Sequence, residues 1–172
     1  MVIRDYQDSD LMKVLRLAKE LDGEIRGYTE EKRCQEHYLQ PDTKYSVCVA
    51  CVGKDIVGYT VGLPFTGVPE IDMSDVLPSN VRPEQYLIGT VFVSELHRRR
   101  GIATQLVETL TAEATSTGYK EICSFVAKSN RPSVEFHRVL GFRETGRGLP
   151  HYPHIRQQTE QPFKKSCRTP GV

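Results

Sequence analysis

Two clusters in this chain have residue types and spacings that could do chemistry. The first is His97-Arg98-Arg99-Arg100-Gly101-Ile102-Ala103-Thr104. It follows an apolar run, Tyr86 to Val93, and opens a segment with apolar residues at Ile102, Leu106, Val107, Leu110 and Ala114. The run reads as a central strand and the spacing as the buried face of a helix. A strand that turns directly into a helix leaves the first helical amides without intrahelical acceptors. Those amides, with the positive end of the helix dipole, suit a phosphate group. Small residues let backbone approach a phosphate closely, which is the role read for Gly101 and Ala103. Arg98, Arg99 and Arg100 elsewhere would be a solvated charge run. At this turn phosphate contact is the favoured reading, with backbone amides mattering more than side chains.

The second cluster is Asn130-Arg131-Pro132-Ser133-Val134-Glu135-Phe136-His137-Arg138-Val139-Leu140-Gly141-Phe142. It reads as a helix from about Pro132 to Leu140, since proline is tolerated in a first turn and Gly141 is a C-terminal stop. Asn130 either caps this helix, contacts a ligand, or does both. The chain contains neither Gly-x-x-x-x-Gly-Lys-Ser/Thr nor Gly-x-Gly-x-x-Gly, so nucleoside-triphosphate and dinucleotide loops are not indicated.

Arg98-x-x-Gly101-x-Ala103 after Val91-Phe92-Val93, with Thr104 following, resembles the acetyl-coenzyme A loop of the GCN5-related N-acetyltransferase (GNAT) family. The Asn130–Phe142 stretch resembles that family's second motif, Asn-x-x-Ala-x-x-Phe-Tyr-x-x-x-Gly-Phe. The two stand in the expected order with one strand, Glu121 to Ala127, between them. The likeness is residue-specific over Tyr86 to Phe142 and extends in layout over about Val2 to Arg147.

The resemblance implies an α/β fold with a mixed, mostly antiparallel sheet of six to seven strands, flanked by helices on both faces. It implies acetyl-CoA (coenzyme A) as co-substrate. The cofactor-binding residues would be Phe92, Val93, Arg98, Arg99, Arg100, Gly101, Ile102, Ala103, Thr104, Asn130 and Ser133. Phe92-Val93 would offer a strand edge to the pantetheine arm if it splays from the next strand. The family's usual acid is a tyrosine after the phenylalanine of the second motif, and here His137 occupies that place. His137 is either the acid, as an imidazolium, or a packed histidine. The central strand lacks a carboxylate, so Glu84 at its start is the candidate base, with Glu70 and Asp72 behind it. An acceptor amine of low pKa needs no base.

The implied activity is acetyl transfer from acetyl-CoA to a primary amine by direct attack in a ternary complex. The acceptor, a small molecule or a peptide, would enter between the Gly23–Leu39 segment and the Pro64–Pro83 loop. The competing reading is a coenzyme A-binding module or sensor with little transfer, supported by the missing tyrosine and strand carboxylate.

The elements that must position these residues read as follows. Val2–Tyr6 is a first strand, Ser9–Leu21 a helix capped within Asp8-Ser9-Asp10, and Thr29–Leu39 a second helix capped by Thr29. Tyr45–Val52 and Ile56–Leu63 form a hairpin. Pro64–Pro83 is a long loop, of the kind usually tied to function. Residues 1–148 read as one acetyltransferase domain, and 149–172 as a polar segment with at best an edge strand (Ile155–Lys165) and a disordered end.

Composition limits the rest. The chain has 172 residues, 38% of them hydrophobic and 26% charged, with formal net charge +1. That suits a single domain and sets no global field toward nucleic acid or membrane. No apolar stretch approaches a membrane span and the N-terminus has no signal-peptide pattern, so a cytoplasmic setting is expected. Five cysteines without framework spacing read as free thiols. Cys48-Val49-Ala50-Cys51 lies in a strand pattern that sends its two side chains to opposite faces, and Tyr152-Pro153 breaks the spacing of His151 and His154. No metal site is expected. The chain is expected to be a monomer or a homodimer, the latter if a second subunit's edge completes the weak last strand.

Overall fold

The computed structural model describes residues 1–25, 29–64, 85–127, 129–144 and 160–166, with backbone alone at 127 and 160–166. Its elements are β1 (Val2–Asp5), α1 (Leu11–Glu24), α2 (Glu30–Arg33), β2 (Ser46–Val52), β3 (Asp55–Pro64), β4 (Gln85–Val93), α3 (Ile102–Ser116), β5 (Glu121–Ala127), α4 (Arg131–Val139), β6 (Arg143–Glu144) and β7 (Glu160–Ser166). The strands hydrogen-bond in the order β1-β2-β3-β4-β5-β7-β6. The β4–β5 ladder is parallel, whereas β1–β2, β2–β3, β5–β7 and β6–β7 are antiparallel. This is the expected mixed, mostly antiparallel sheet.

The chain forms two compact units. One comprises Met1–Gly62 and Gly89–Ala112, the other Leu63–Ile88 and Glu113–Val172. In the first, α1 buries Val14, Leu15, Leu17, Ala18 and Leu21 among Val47, Val49, Tyr59, Val61 and Phe92. That stripe is the i, i+3, i+4, i+7 pattern legible in the sequence. Helix α1 begins after a single 3₁₀ turn, Asp8–Asp10. Asp10 carries two roles there: it accepts from the Gln7 amide at 3.0 Å and from both terminal nitrogens of Arg4 at 2.6 and 2.9 Å. The Arg4 guanidinium holds the Asp10 carboxyl below the usual carboxylate range.

The second helix departs from expectation. It is one α turn followed by a π turn, Cys34–Tyr38. Thr29 makes no side-chain cap. The Asp22 carboxylate of α1 does so instead, accepting from the Glu30 and Glu31 amides at 2.6 and 3.0 Å. A carboxylate on the first amides of a helix meets orphan donors and the dipole together.

β3 approaches β4 closely at one point. A Cβ at Gly58 would stand 2.8 Å from the Phe92 carbonyl oxygen, 3.1 Å from Val93 Cγ2 and 3.4 Å from Leu106 Cδ1. Glycine is thus required for β4 to pack where it does, with Ile102, Leu106, Val107 and Leu110 of α3 buried as their spacing predicts. Cys48 and Cys51 are separated by a register irregularity between Ala50 and Cys51. Among the described residues, Cys34, Cys48, Cys51 and Cys123 form no disulfide.

In the second unit, the β4–β5 ladder runs from Gln85–Glu121 to Ile88–Ser124. β7 corrects the edge-strand expectation. It pairs with β5 over seven residues and with β6 over two, so it lies inside the sheet despite its polar sequence. Helix α4 ends in a Schellman arrangement: the Gly141 amide donates to Arg138 O at 2.9 Å and the Phe142 amide to His137 O at 3.0 Å, with Gly141 at φ +83°. No helix among the described residues is long and apolar enough to cross a membrane.

Candidate active site

β4 ends at Val93 and the chain enters α3 through Ser94, the 3₁₀ turn Glu95–His97, and Arg98 to Gly101. The turn is tied to the strands beneath it. The Ser94 amide donates to Val57 O of β3 at 2.9 Å, and Ser94 Oγ lies 2.9 Å from His97 Nδ1. Two residues then take the left-handed conformation, Arg99 at φ +62° and Gly101 at φ +74°. For arginine this is uncommon and strained. Alternation of left- and right-handed residues turns successive amides toward one concave side, a geometry that receives anions. The first helical bond is from the Gln105 amide to Gly101 O at 3.1 Å, so the amides of Ile102, Ala103 and Thr104 have no intrahelical acceptor. A Cβ at Gly101 would meet nothing within 4 Å. The requirement for glycine is therefore conformational.

The three arginines differ. Arg99 and Arg100 are exposed. The Arg98 side chain is engaged by the protein: Nε donates to Val93 O at 2.9 Å, the guanidinium pairs with Glu24 of α1, and its carbon stands 5.5 Å from the centre of the Phe92 ring. It braces the end of β4 against α1. Ile102 is buried, so that residue can offer a ligand its amide and not its side chain.

The register of β4 fixes which of its backbone groups point away from β3. The Ser94 amide and the Phe92 carbonyl both point toward β3. Backbone groups alternate along a strand, so those of Val91 and Val93 point to the opposite edge. Val91 is a residue the sequence reading missed. Its signal is parity alone, legible only once one hydrogen bond of β4 is known.

Asn130 caps α4: its Oδ1 accepts from the Ser133 amide at 3.2 Å. His137 is only 4% exposed. Its Nδ1 donates to Ser133 O at 2.8 Å, and its ring stands edge-on to Phe136 and Phe142 at 5.3 and 5.1 Å. Burial depresses its pKa, against a smaller opposing effect of the Ser133 bond. The imidazolium that a proton donor requires is thus disfavoured, and the geometry weighs toward a packed, neutral histidine. Glu84, Glu70, Asp72 and most of the Pro64–Pro83 loop lie outside the described residues, as do His151 and His154.

Among known families, the model of the acetyltransferase (GNAT) family matches residues 10–142. The chain belongs to this family. An aminoglycoside N(6')-acetyltransferase type 1 of Acinetobacter genomosp. 13 is 41% identical over 73 residues, 42% of this chain and 49% of that protein. A phosphinothricin N-acetyltransferase of Streptomyces viridochromogenes is 36% identical over 58 residues, 34% of this chain and 32% of its own length. The matched stretch thus spans about half of the first relative and a third of the second. Among solved structures, a ribosomal-protein-alanine N-acetyltransferase from Brucella melitensis superposes with TM-score 0.73 at 20% identity, covering 97% of this chain and all of that one. An aminoglycoside 6'-acetyltransferase type Ii does so with TM-score 0.73 at 18% identity, covering 99% of this chain and 100% of its own. At these identities the likeness establishes the GNAT fold.

Proposed function

We propose that this GNAT protein is an acetyl-CoA-dependent N-acetyltransferase that moves the acetyl group to a primary amine by direct attack in a ternary complex. The observation that carries this reading is the turn Arg99–Thr104, with left-handed residues at Arg99 and Gly101 and first-turn amides free of intrahelical acceptors. Its amides receive the pyrophosphate, and the exposed Arg99 and Arg100 add charge. Val91 and Val93 offer their backbone to the amide-bearing pantetheine arm. The Val93 carbonyl is already held by Arg98, so its amide is the group left to donate. Phe92 supports the strand from the buried side, and Asn130 keeps its NH2 group as a donor beside Ser133.

In the reaction the amine nitrogen attacks the thioester carbon, the C–S bond breaks, and the thiolate sulfur takes a proton. The relatives' names favour a small amine-bearing acceptor.

A second reading, a coenzyme A-binding module with little transfer, is favoured by the buried neutral state of His137. Calorimetric titration of acetyl-CoA into wild type and Gly101→Glu, followed by a panel of amines with thiol release as readout, separates the readings. Micromolar binding lost in the variant, with transfer by wild type, supports the enzyme. Binding without transfer to any amine supports the module. Absence of binding by folded wild type overturns both.

A further inference from the structure

Gly101, Gly58 and Gly89 are glycines for different reasons. Gly101 takes a positive φ that its turn requires. Gly58 is buried, and a Cβ there would meet the Phe92 carbonyl oxygen. Gly89, in the middle of β4, fits neither case. The left-handed glycines are Gly53, Gly101, Gly118 and Gly141, so its backbone does not demand glycine. Of the nine residues of β4, seven are buried, Val91 is half-buried, and Gly89 is exposed. Solvent, and not only a neighbouring element, therefore lies over it. Glycine inside a strand costs stability through chain entropy and the missing side chain. It often marks a place where a ligand comes close to backbone. The position along the strand is informative. The described β4–β5 ladder ends at Ile88–Ser124, one residue earlier. The Thr90 carbonyl accepts from the Thr60 hydroxyl of β3 at 2.9 Å. By alternation the backbone groups of Gly89 point away from β3, as those of Val91 and Val93 do. Gly89 stands four residues before Val93, about 13 Å along the strand.

We propose that Gly89 determines acceptor specificity: the amine-bearing carbon of the acceptor rests on its Cα, and the missing side chain leaves room for a substituent on that carbon. This rests on the acetyltransferase reading above. In that reading the pantetheine arm starts at the pyrophosphate turn and follows the backbone of Val93 and Val91, so its thioester end comes to β4 at Gly89. Gly89 is also where solvent reaches the strand, so an amine arriving from solvent meets the thioester at this residue. A side chain at position 89 would stand between the two. The acceptor class is a primary amine on a branched carbon, such as the α-amino group of an amino-acid amide. An amine on a CH2 group also fits, and gains nothing from the glycine. Gly89 supplies no proton and takes no part in bond making; it sets the shape of what can approach.

The test uses the full chain, acetyl-CoA and three acceptors. L-Valinamide and glycinamide have α-amines of similar basicity, with pKa values of about 7.7–8.0, and differ in bulk at the amine-bearing carbon. Nα-acetyl-lysinamide carries its amine on a CH2 group. Thiol release gives kcat/KM for each. Wild type is expected to use valinamide within about tenfold of glycinamide. Gly89→Ala should lower kcat/KM for valinamide by about tenfold or more, and for the other two by less than about threefold. Gly89→Val should deepen the valinamide loss to about 100-fold. The acetyl-CoA Kd should stay within about twofold of wild type. Tm should not fall, because alanine and valine are no worse than glycine in a strand. A purely structural role for Gly89 would move all three acceptors together, and that result overturns the assignment while wild-type transfer still stands. So does a wild type that acetylates glycinamide or the lysine amide but not valinamide, and so does a Gly89→Val variant with unchanged selectivity. If wild type binds acetyl-CoA but acetylates no amine, the acetyltransferase reading fails and this one with it.

Discussion

Replacing Arg98 by methionine separates a brace from a phosphate ligand. Methionine keeps an apolar stem and removes three interactions: the 2.9 Å bond to Val93 O, the pair with Glu24, and the guanidinium over the Phe92 ring. A hydrogen bond of this kind contributes about 1 kcal/mol and the cation–π contact about 0.5–1 kcal/mol. The Glu24 pair is more than a third exposed on both sides, so solvent and salt reduce it to about 0–0.5 kcal/mol. The sum is about 2 kcal/mol, or about 4–8 °C in Tm for a chain of this size. Differential scanning calorimetry measures the stability, and titration with acetyl-CoA at low and high salt measures binding. The expected outcome is a destabilised protein whose affinity falls less than about tenfold, by an amount that salt barely changes, because a strand end is loosened and no phosphate charge is lost. Arg100→Met is the contrast. It touches no described partner and should leave Tm within about 1 °C, while its affinity loss shrinks as salt rises. Unchanged Tm with a large, salt-sensitive affinity loss for Arg98→Met would refute the assignment of Arg98 as a brace.

Gly58→Ala places a methyl group 2.8 Å from the Phe92 carbonyl oxygen; overpacking here should cost about 1–3 kcal/mol and weaken acetyl-CoA binding as β4 shifts, and calorimetry with unchanged Tm would deny the close approach. Asp10 is an acid held low by Arg4, so its contribution to stability is complete above its unfolded value of about 3.9 and is lost as pH falls through its lower folded value. Melting curves from pH 5 to pH 2 should show that loss in wild type and a shallower slope in Asp10→Asn. His137→Phe should keep kcat within about threefold, since the ring is packed and neutral; a loss of about 100-fold would return His137 to the role of acid.

Much of this architecture was legible because it depends on local pattern. The α3 face from Ile102 to Ala114, the α1 stripe, the Asn130 cap and the Gly141 stop each follow from residue type and spacing. What escaped depends on how separate elements meet. Thr29 is a good cap by type, yet Asp22 takes that role because α1 brings its carboxylate over the start of α2. The segment Glu160–Ser166 has no strand-like alternation, and its place inside the sheet is set by β5 and β6 on its two edges. In the candidate site, Gly101 and the first turn of α3 were readable, whereas the choice of Val91 over Phe92 depends on strand parity. The side chain of Arg98 looked like its two neighbours in sequence, and only the position of Glu24 and Phe92 distinguishes it. The burial of Glu30 gave no signal, since one glutamate in a charged first helical turn becomes a core group only when Tyr59 packs over it.

The left-handed Arg99 and Gly101 also bear on how this protein can change over time. Donors that belong to the main chain are present whatever side chains stand at positions 99 to 104. Drift in those side chains adjusts affinity by degrees. Loss of the turn's geometry requires a change of dihedral angle, so the sensitive substitutions are those that forbid positive φ: a β-branched residue at Arg99 or any side chain at Gly101. The turn should therefore tolerate wide variation in sequence while staying narrow in conformation, a combination that a search by residue identity will undervalue.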